Sequence, residues 1–180
     1  MKQGNALPHV DIEILKAQVD AEIAARLQAE AEYEQHIHRR GFISGKLKLL
    51  IALDAASEVA ELPSLYHLPG APAGVRGLAN RHGRVIPVVD LQTLLGVEYE
   101  DMTSSWLMIY GHGEDAVGII VGSLPERKRF AQEDLVDIDQ ISSPLLQYAN
   151  AVYKEGSNFW FDVDFERLFA SVFQVNFTAG

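Results

Sequence analysis

The chain has 180 residues, 48% of them apolar, with 25 acidic against 15 basic side chains and a formal net charge of −10. That is enough apolar material for one domain with a real core, or for two small lobes sharing one. The acidic balance argues against nucleic acid, whose binding domains normally carry the opposite sign, and points to protein partners. The chain has no cysteine, so neither a disulfide framework nor a thiolate metal site is available, which suits a reducing compartment.

The start, MKQGNALPHVDIEIL, lacks the apolar stretch of a signal peptide. The runs LLIAL and AVGIIVG end at Asp54 and Ser123, far short of the roughly 20 residues a membrane span requires. A cytoplasmic protein without direct membrane insertion is expected. From Asp11 to about Gln35, Ile12, Leu15, Val19, Ile23 and Leu27 fall three or four apart, the period of an amphipathic helix, with Asp11 placed to cap it. Glu22 interrupts a strict heptad, so the helix reads as packed on its own domain or as a partner-binding arm rather than as a long coiled coil.

After HIHRRGFISG the texture becomes that of a β-rich body. KLKLLIAL, GRVIPVVDL, WLMIYG, AVGIIVG and NFWFDVDF are short apolar or alternating segments between glycine, proline and acid-rich turns. In NFWF, one face fills the core and the other lies under the terminal helix. Two short helices are expected, LQTLL after Asp90 and FERLFASVF after Asp164, each with an aspartate where a structural cap belongs. VDLQTLL at 89–95 and VDFERLF at 163–169 match in type, and LLIALDAASE at 49–58 echoes VGIIVGSLPE at 117–126. The repeated texture predicts an internal duplication of a small β unit, giving two lobes that close on each other.

Within GRVIPVVDL, Pro87 cannot donate to a ladder, so the strand is expected at an edge or bulged at the proline, where another chain could dock. NRHG ahead of it reads as a turn, with Gly83 taking a backbone conformation other residues resist and Arg81 and His82 projecting outward. The stretch LPGAPAGVRGLANRHGRVIPVVDLQTLLG resembles the signature of the CheW-like family, and ASEVAEL, AVGIIVGSLPE and FWFDVDFERLF fit its other blocks in order.

The resemblance covers about residues 40–173. It implies a mainly β fold of two small SH3-like barrel lobes around a shared core, with residues 1–39 as a helical leader and 176–180 as a tail beyond a domain of residues 40–175. It also implies a non-enzymatic adaptor joining methyl-accepting chemotaxis receptor tips to the regulatory domain of a CheA-type histidine kinase. The leader and the LPGAP wording suggest the pilus-type, twitching-motility subtype.

Carried over by position, Glu58 and Val59 match a partner-surface segment and Asn80, Arg81, His82 and Gly83 match the family's N-x-R-G turn, with Val85 following. The family arginine is His82 here, a shorter and only partly charged side chain, while Arg81 stands where an aliphatic residue is usual. Gly122 stands where the family often has an aspartate.

Other chemistry fits less well. His82, Asp90 and Glu58 could be drawn as a hydrolase's acid–base group, but that needs them within hydrogen-bond reach in one pocket. His36 and His38 share the spacing of one strand face without a third ligand, and DID (137–139) and DVD (162–164) lack the glycine and terminal glutamate of a calcium loop. ERKRF (126–130) reads as a solvated basic loop. No metal, cofactor or catalytic residue is expected. The competing reading is a sensory module binding a small molecule at the seam between the lobes.

Overall fold

The structure, a computed structural model, describes residues 11–55 and 57–173, so the expected tail at 176–180 lies outside the described residues. The chain divides between His36 and Ile37 into two units. The first is α1 (Ile12–Glu34), capped by the Asp11 carboxylate, which accepts from the Glu13 N–H at 3.1 Å. Ile12, Leu15, Val19, Ile23 and Leu27 keep helical spacing, but alanines and charges fill the remaining positions so evenly that α1 is only weakly amphipathic. The periodicity alone overstated that asymmetry.

The second unit is built from β1 (Ile37–Ser44), β2 (Leu47–Ala52), β3 (Ser57–Glu61), β4 (Val75–Arg81), β5 (Arg84–Val89), β6 (Trp106–Tyr110), β7 (Val117–Val121), β8 (Glu126–Phe130), β9 (Ala149–Glu155) and β10 (Asn158–Val163). Two short helices follow β5 and β10: α2 (Leu91–Leu94) and α3 (Phe165–Phe173). The strands form two five-stranded sheets, in the orders β8-β1-β2-β10-β9 and β3-β6-β7-β5-β4.

The sheet orders show how the duplication folds. β1–β2 and β6–β7 take the same place in the two sheets, as do β9–β10 and β4–β5, and the central pairs β2–β10 and β5–β7 are both parallel. Val88 pairs with Gly118, and moving along the two echoes of the sequence converts this pair into Asp162 and Leu50, which are themselves paired. The Asp90 N–H donates to the Gly74 carbonyl and the Asp164 N–H to the Tyr148 carbonyl, each at 2.8 Å and both 74 residues apart along the chain.

The lobes are therefore related as expected but are not consecutive halves. Each sheet takes one hairpin from the first half of the unit and three strands from the second, or the reverse. A parallel strand pair cannot be joined by a tight turn, so each half completes its central pair with a strand of the other.

Strand alternation sorts the side chains into three clusters. Leu49, Ile51, Val117, Ile119 and Val121 point into a shared core with Phe42, Met108 and Phe161. The residues between them face a cluster private to each lobe: Leu50, Phe130, Tyr153 and Trp160 in the first, Ile86, Val88, Leu107 and Ile120 in the second. α3 adds Phe165, Leu168 and Phe169 to the shared core, each worth roughly 1.5–3 kcal/mol of burial. Trp160 thus lines its own lobe rather than lying under the terminal helix, while Phe161 meets α3 in the shared core.

Both sheets curl until their outer strands meet. In the first lobe Lys128 on β8 binds Glu155 on β9 at 3.1 Å, and Phe130 stacks on Tyr153 with centroids 4.8 Å apart. In the second, Glu58 on β3 binds Arg81 at the end of β4. Among the described residues no ladder joins the outer strands to each other, and charged side chains of this kind blunt their edges. ERKRF is therefore the strand β8 paired along β1, not a loop.

Pro87 also sits differently from expectation. β5 lies between β4 and β7, away from any sheet edge, and the irregularity in the ladder falls on β4 between Val75 and Gly77. Pro87 is tolerated because its partner Leu78 directs both its N–H and its carbonyl away from β5, to Tyr66 at 2.8 Å each. The Leu78/Pro87 pair is thus a non-hydrogen-bonded one, and on the other side pairing with β7 begins only at Val88.

Candidate partner-binding site

The hairpin β4–β5 turns through two residues, His82 and Gly83, between the paired Arg81 and Arg84. Both turn residues have positive φ, 53° at His82 and 78° at Gly83, the pattern of a type I′ turn, whose twist matches that of the flanking strands. His82 is the one non-glycine residue in that region among the described residues. The Asn80 side chain steadies the turn by accepting the Gly83 N–H at 3.2 Å.

Because the sheet curls, this turn comes back to Glu58. The Glu58 carboxylate accepts from Arg81 Nε at 3.1 Å and from Arg81 Nη2, and lies 3.4 Å from His82 Nε2. Hydrogen bonds from Arg81 and then from His82 hold the Glu58 carboxyl below the usual glutamate range. All three groups are solvent-accessible, so the cluster orients side chains more than it stabilises the fold.

The cluster forms one wall of an open groove of about 380 Å³. Ile86, Ile109 and Ala116 make an apolar floor, and Arg84 and His112 complete the rim. Arg84 was visible in the sequence only as a strand residue. Its signal is that it flanks the two-residue turn opposite Arg81. His112, in the turn GHGED, carries no signal linking it to a segment 30 residues away, since only the sheet order brings them together.

The remaining candidate residues go to different places. Val59 points away from Glu58 and packs half-buried against the shared core. Asn80 and Val85 face each other on the outer side of the hairpin, where Val85 is 65% exposed. Gly83 is the turn apex.

Asp90 is buried at the far end of β5, where it accepts from the Gln92 N–H at 3.0 Å and lies 3.6 Å from Arg76, so no acid–base group forms with His82 and Glu58. Asp164 accepts from the Arg167 N–H at 2.9 Å. Asp162 is bound to Arg39 at 2.8 Å and Asp137 caps a short 3-10 turn, which accounts for both acidic triplets. Among the described residues no three histidine or acidic side chains converge on a metal position. A side chain at Gly122 would meet Met102 Sδ at 3.0 Å, and its N–H binds the Ile43 carbonyl at 2.7 Å across the lobes. That position is thus part of the seam.

The second unit thus consists of two intertwined lobes, with a type I′ turn beside an open groove. The CheW-like domain family matches residues 41–173, and the chain belongs to that family. It is 31% identical over 100 residues to Protein PilI of Pseudomonas aeruginosa, a match covering 55% of this chain and 56% of that protein, so it spans just over half of that relative's length.

The Chemotaxis protein CheW of Helicobacter pylori is 24% identical over 145 residues, covering 80% of this chain and 84% of that protein. The crystal structure of the scaffolding protein TtCheW from Thermoanaerobacter tengcongensis superposes with a TM-score of 0.62 at 18% identity, over 78% of this chain and 94% of that one. It shares the two-lobed fold. Among the described residues no helix is long and apolar enough to cross a membrane.

Proposed function

We propose that this chain is a cytoplasmic coupling adaptor, without catalytic activity, that joins the tips of methyl-accepting receptors to the regulatory domain of a CheA-type histidine kinase. Residues 40–175 are then the adaptor domain, with 1–39 as a leader and 176–180 as a tail. The likeness to PilI supports an array that controls type IV pilus twitching.

The observation that carries the reading is the convergence of Glu58, Arg81 and His82 on an open groove with an apolar floor. Such a site offers contact area and orienting charge, the ingredients of protein docking, rather than an enclosed pocket for chemistry. A depression of about 250 Å³ lined by both sheets offers little to a small ligand, because Arg39 and Asp162 within it already satisfy one another.

The test is calorimetric titration of the full chain against the kinase regulatory domain of the same cell, with and without a receptor tip fragment. Saturable binding extended by the fragment into a ternary complex is the expected result. A folded chain that binds neither partner refutes the coupling role.

A further inference from the structure

The groove of the second lobe carries a charge that no acidic side chain among the described residues neutralises. Arg81 and Arg84 stand directly opposite each other on one face of the hairpin, an arrangement that like charges disfavour. Glu58 relieves only one of them: it is bound to Arg81 and sits beside His82. Among the described residues no carboxylate lies within ion-pair distance of Arg84. Its guanidinium reaches over the loop between β6 and β7, with Nη1 3.7 Å from where a side chain on Gly113 would begin. His112 stands on the same rim. Glu114 and Asp115 follow in that loop but do not line the groove.

The first lobe shows the same place resolved internally. There Glu126, Glu155 and Asn158 take the positions of Glu58, Arg81 and Arg84, and Lys128 binds both acids, at 3.0 and 3.1 Å. Lys128 also lies 4.5 Å over the Trp160 ring, whose Nε1 donates to Glu155 at 3.0 Å. That closure is complete. The second lobe, with two arginines, two histidines and one acid around an apolar floor, is left basic in a chain whose net charge is −10.

We infer that Arg84, with His112 beside it, receives a carboxylate of a protein segment that lays apolar side chains on Ile86, Ile109 and Ala116. The segment is thus acidic and amphipathic, and Arg84 is a specificity-determining residue. This rests on reading the groove as a protein-docking surface and specifies what docks there. A nucleic-acid strand would meet the acidic chain's repulsion beyond the groove. A carboxylate paired in a forked geometry with an arginine, backed by apolar contact, satisfies both features.

The experiment uses the full chain labelled with nitrogen-15 and a capped hexapeptide alternating Leu and Glu, its Leu/Gln twin, and inorganic phosphate at matched ionic strength. The Leu/Glu peptide shifts the amides of Arg84, Gly111 and Gly113 and saturates on the order of millimolar, as a single weak contact should. The Gln twin and phosphate do not, and Arg84→Gln, an exposed change that leaves the remaining spectrum intact, removes the response.

In the calorimetric titration Arg84→Gln weakens whichever partner occupies the groove by about tenfold, the worth of one charge-assisted contact. Unshifted groove amides, an equal response to the Gln twin or to phosphate, or unchanged affinities in Arg84→Gln overturn the inference while leaving the adaptor reading intact. A peptide response with no binding of kinase domain or receptor tip does the reverse.

Discussion

His82 offers a test in which backbone and side chain pull in different directions. At φ 53° its Cβ is crowded by the following carbonyl, a conformation costing L-residues about 1–2 kcal/mol, with histidine toward the lower end. The imidazole returns little, because its side chain is 71% exposed and its partner among the described residues is the exposed Glu58 at 3.4 Å. Asn-Gly is the favoured pair in a type I′ turn, so His82→Asn should stabilise the chain by about 0.5 kcal/mol. The melting temperature should then rise by about 1–2 °C.

His82→Val puts a β-branched residue where it is a genuine outlier, and should cost about 1–2 kcal/mol and lower the midpoint by about 2–8 °C. Thermal and urea unfolding read both changes. A destabilising His82→Asn, or a neutral His82→Val, refutes the assignment of the turn and of the balance between its terms. If His82→Asn is more stable yet binds partners less well, the histidine is retained for contact at a cost in stability.

Removing Leu168, 1% exposed in the shared core, by Leu168→Ala should cost about 3 kcal/mol. For a chain of this size that is a midpoint about 6–12 °C lower. The Glu58 carboxyl should titrate below its ordinary value of 4.5, read by side-chain carbon-13 shifts, and Arg81→Ala should move it back up. With its folded pKa depressed, the contribution of this contact is present above the ordinary value and lost as the pH falls through the depressed one. Residues 37–104 and 105–173 expressed separately should each fail to fold cooperatively by circular dichroism and should recover a single transition when mixed, because both parallel central pairs join one half to the other. A cooperative transition in either piece alone would contradict the interleaved topology.

The elements most legible in the sequence were those whose patterns have local causes. The apolar runs of β2, β5, β6, β7 and β10 and the aspartate-started helices α2 and α3 are set by burial and capping within a few residues. β4, β8 and β9, reading VRGLANR, ERKRF and ANAVYKE, were not picked out: Gly77 and Ala79 fill the buried positions of β4, Phe130 is the one buried side chain in the charged β8, and in β9 Val152 and Tyr153 form too short an apolar pair to stand out between polar and small residues. Lys128 is the clearest case. It occupies an inward position as a strand residue, yet its charge made the segment read as solvated. Burial works against its ammonium, but Glu126 and Glu155 outweigh that and raise its pKa.

The candidate site was legible where one turn carried it and illegible where the sheet carried it. Asn80 to Gly83 announce a turn by composition alone, whereas the meeting of that turn with Glu58 depends on a curl that no short window of sequence encodes. Pro87 makes the same point in reverse. Its missing N–H is a local fact, but the freedom to place it inside a sheet comes from Leu78 turning toward Tyr66.

The duplication also explains why the two ends of the molecule differ in what they can attract. Equivalent positions close each lobe, but one closure places a lysine between two acids and the other places an acid between an arginine and a histidine, with a further arginine alongside. A symmetric pair of lobes would present a partner with two equal docking places and no register. Opposite charge at equivalent places breaks that degeneracy without changing the backbone, since like-charge juxtaposition penalises the wrong end while the right one gains rate and orientation. For the adaptor role proposed above, the side chains at the lobe mouths are therefore where discrimination costs the fold least, because they are exposed and the core packing beneath is shared.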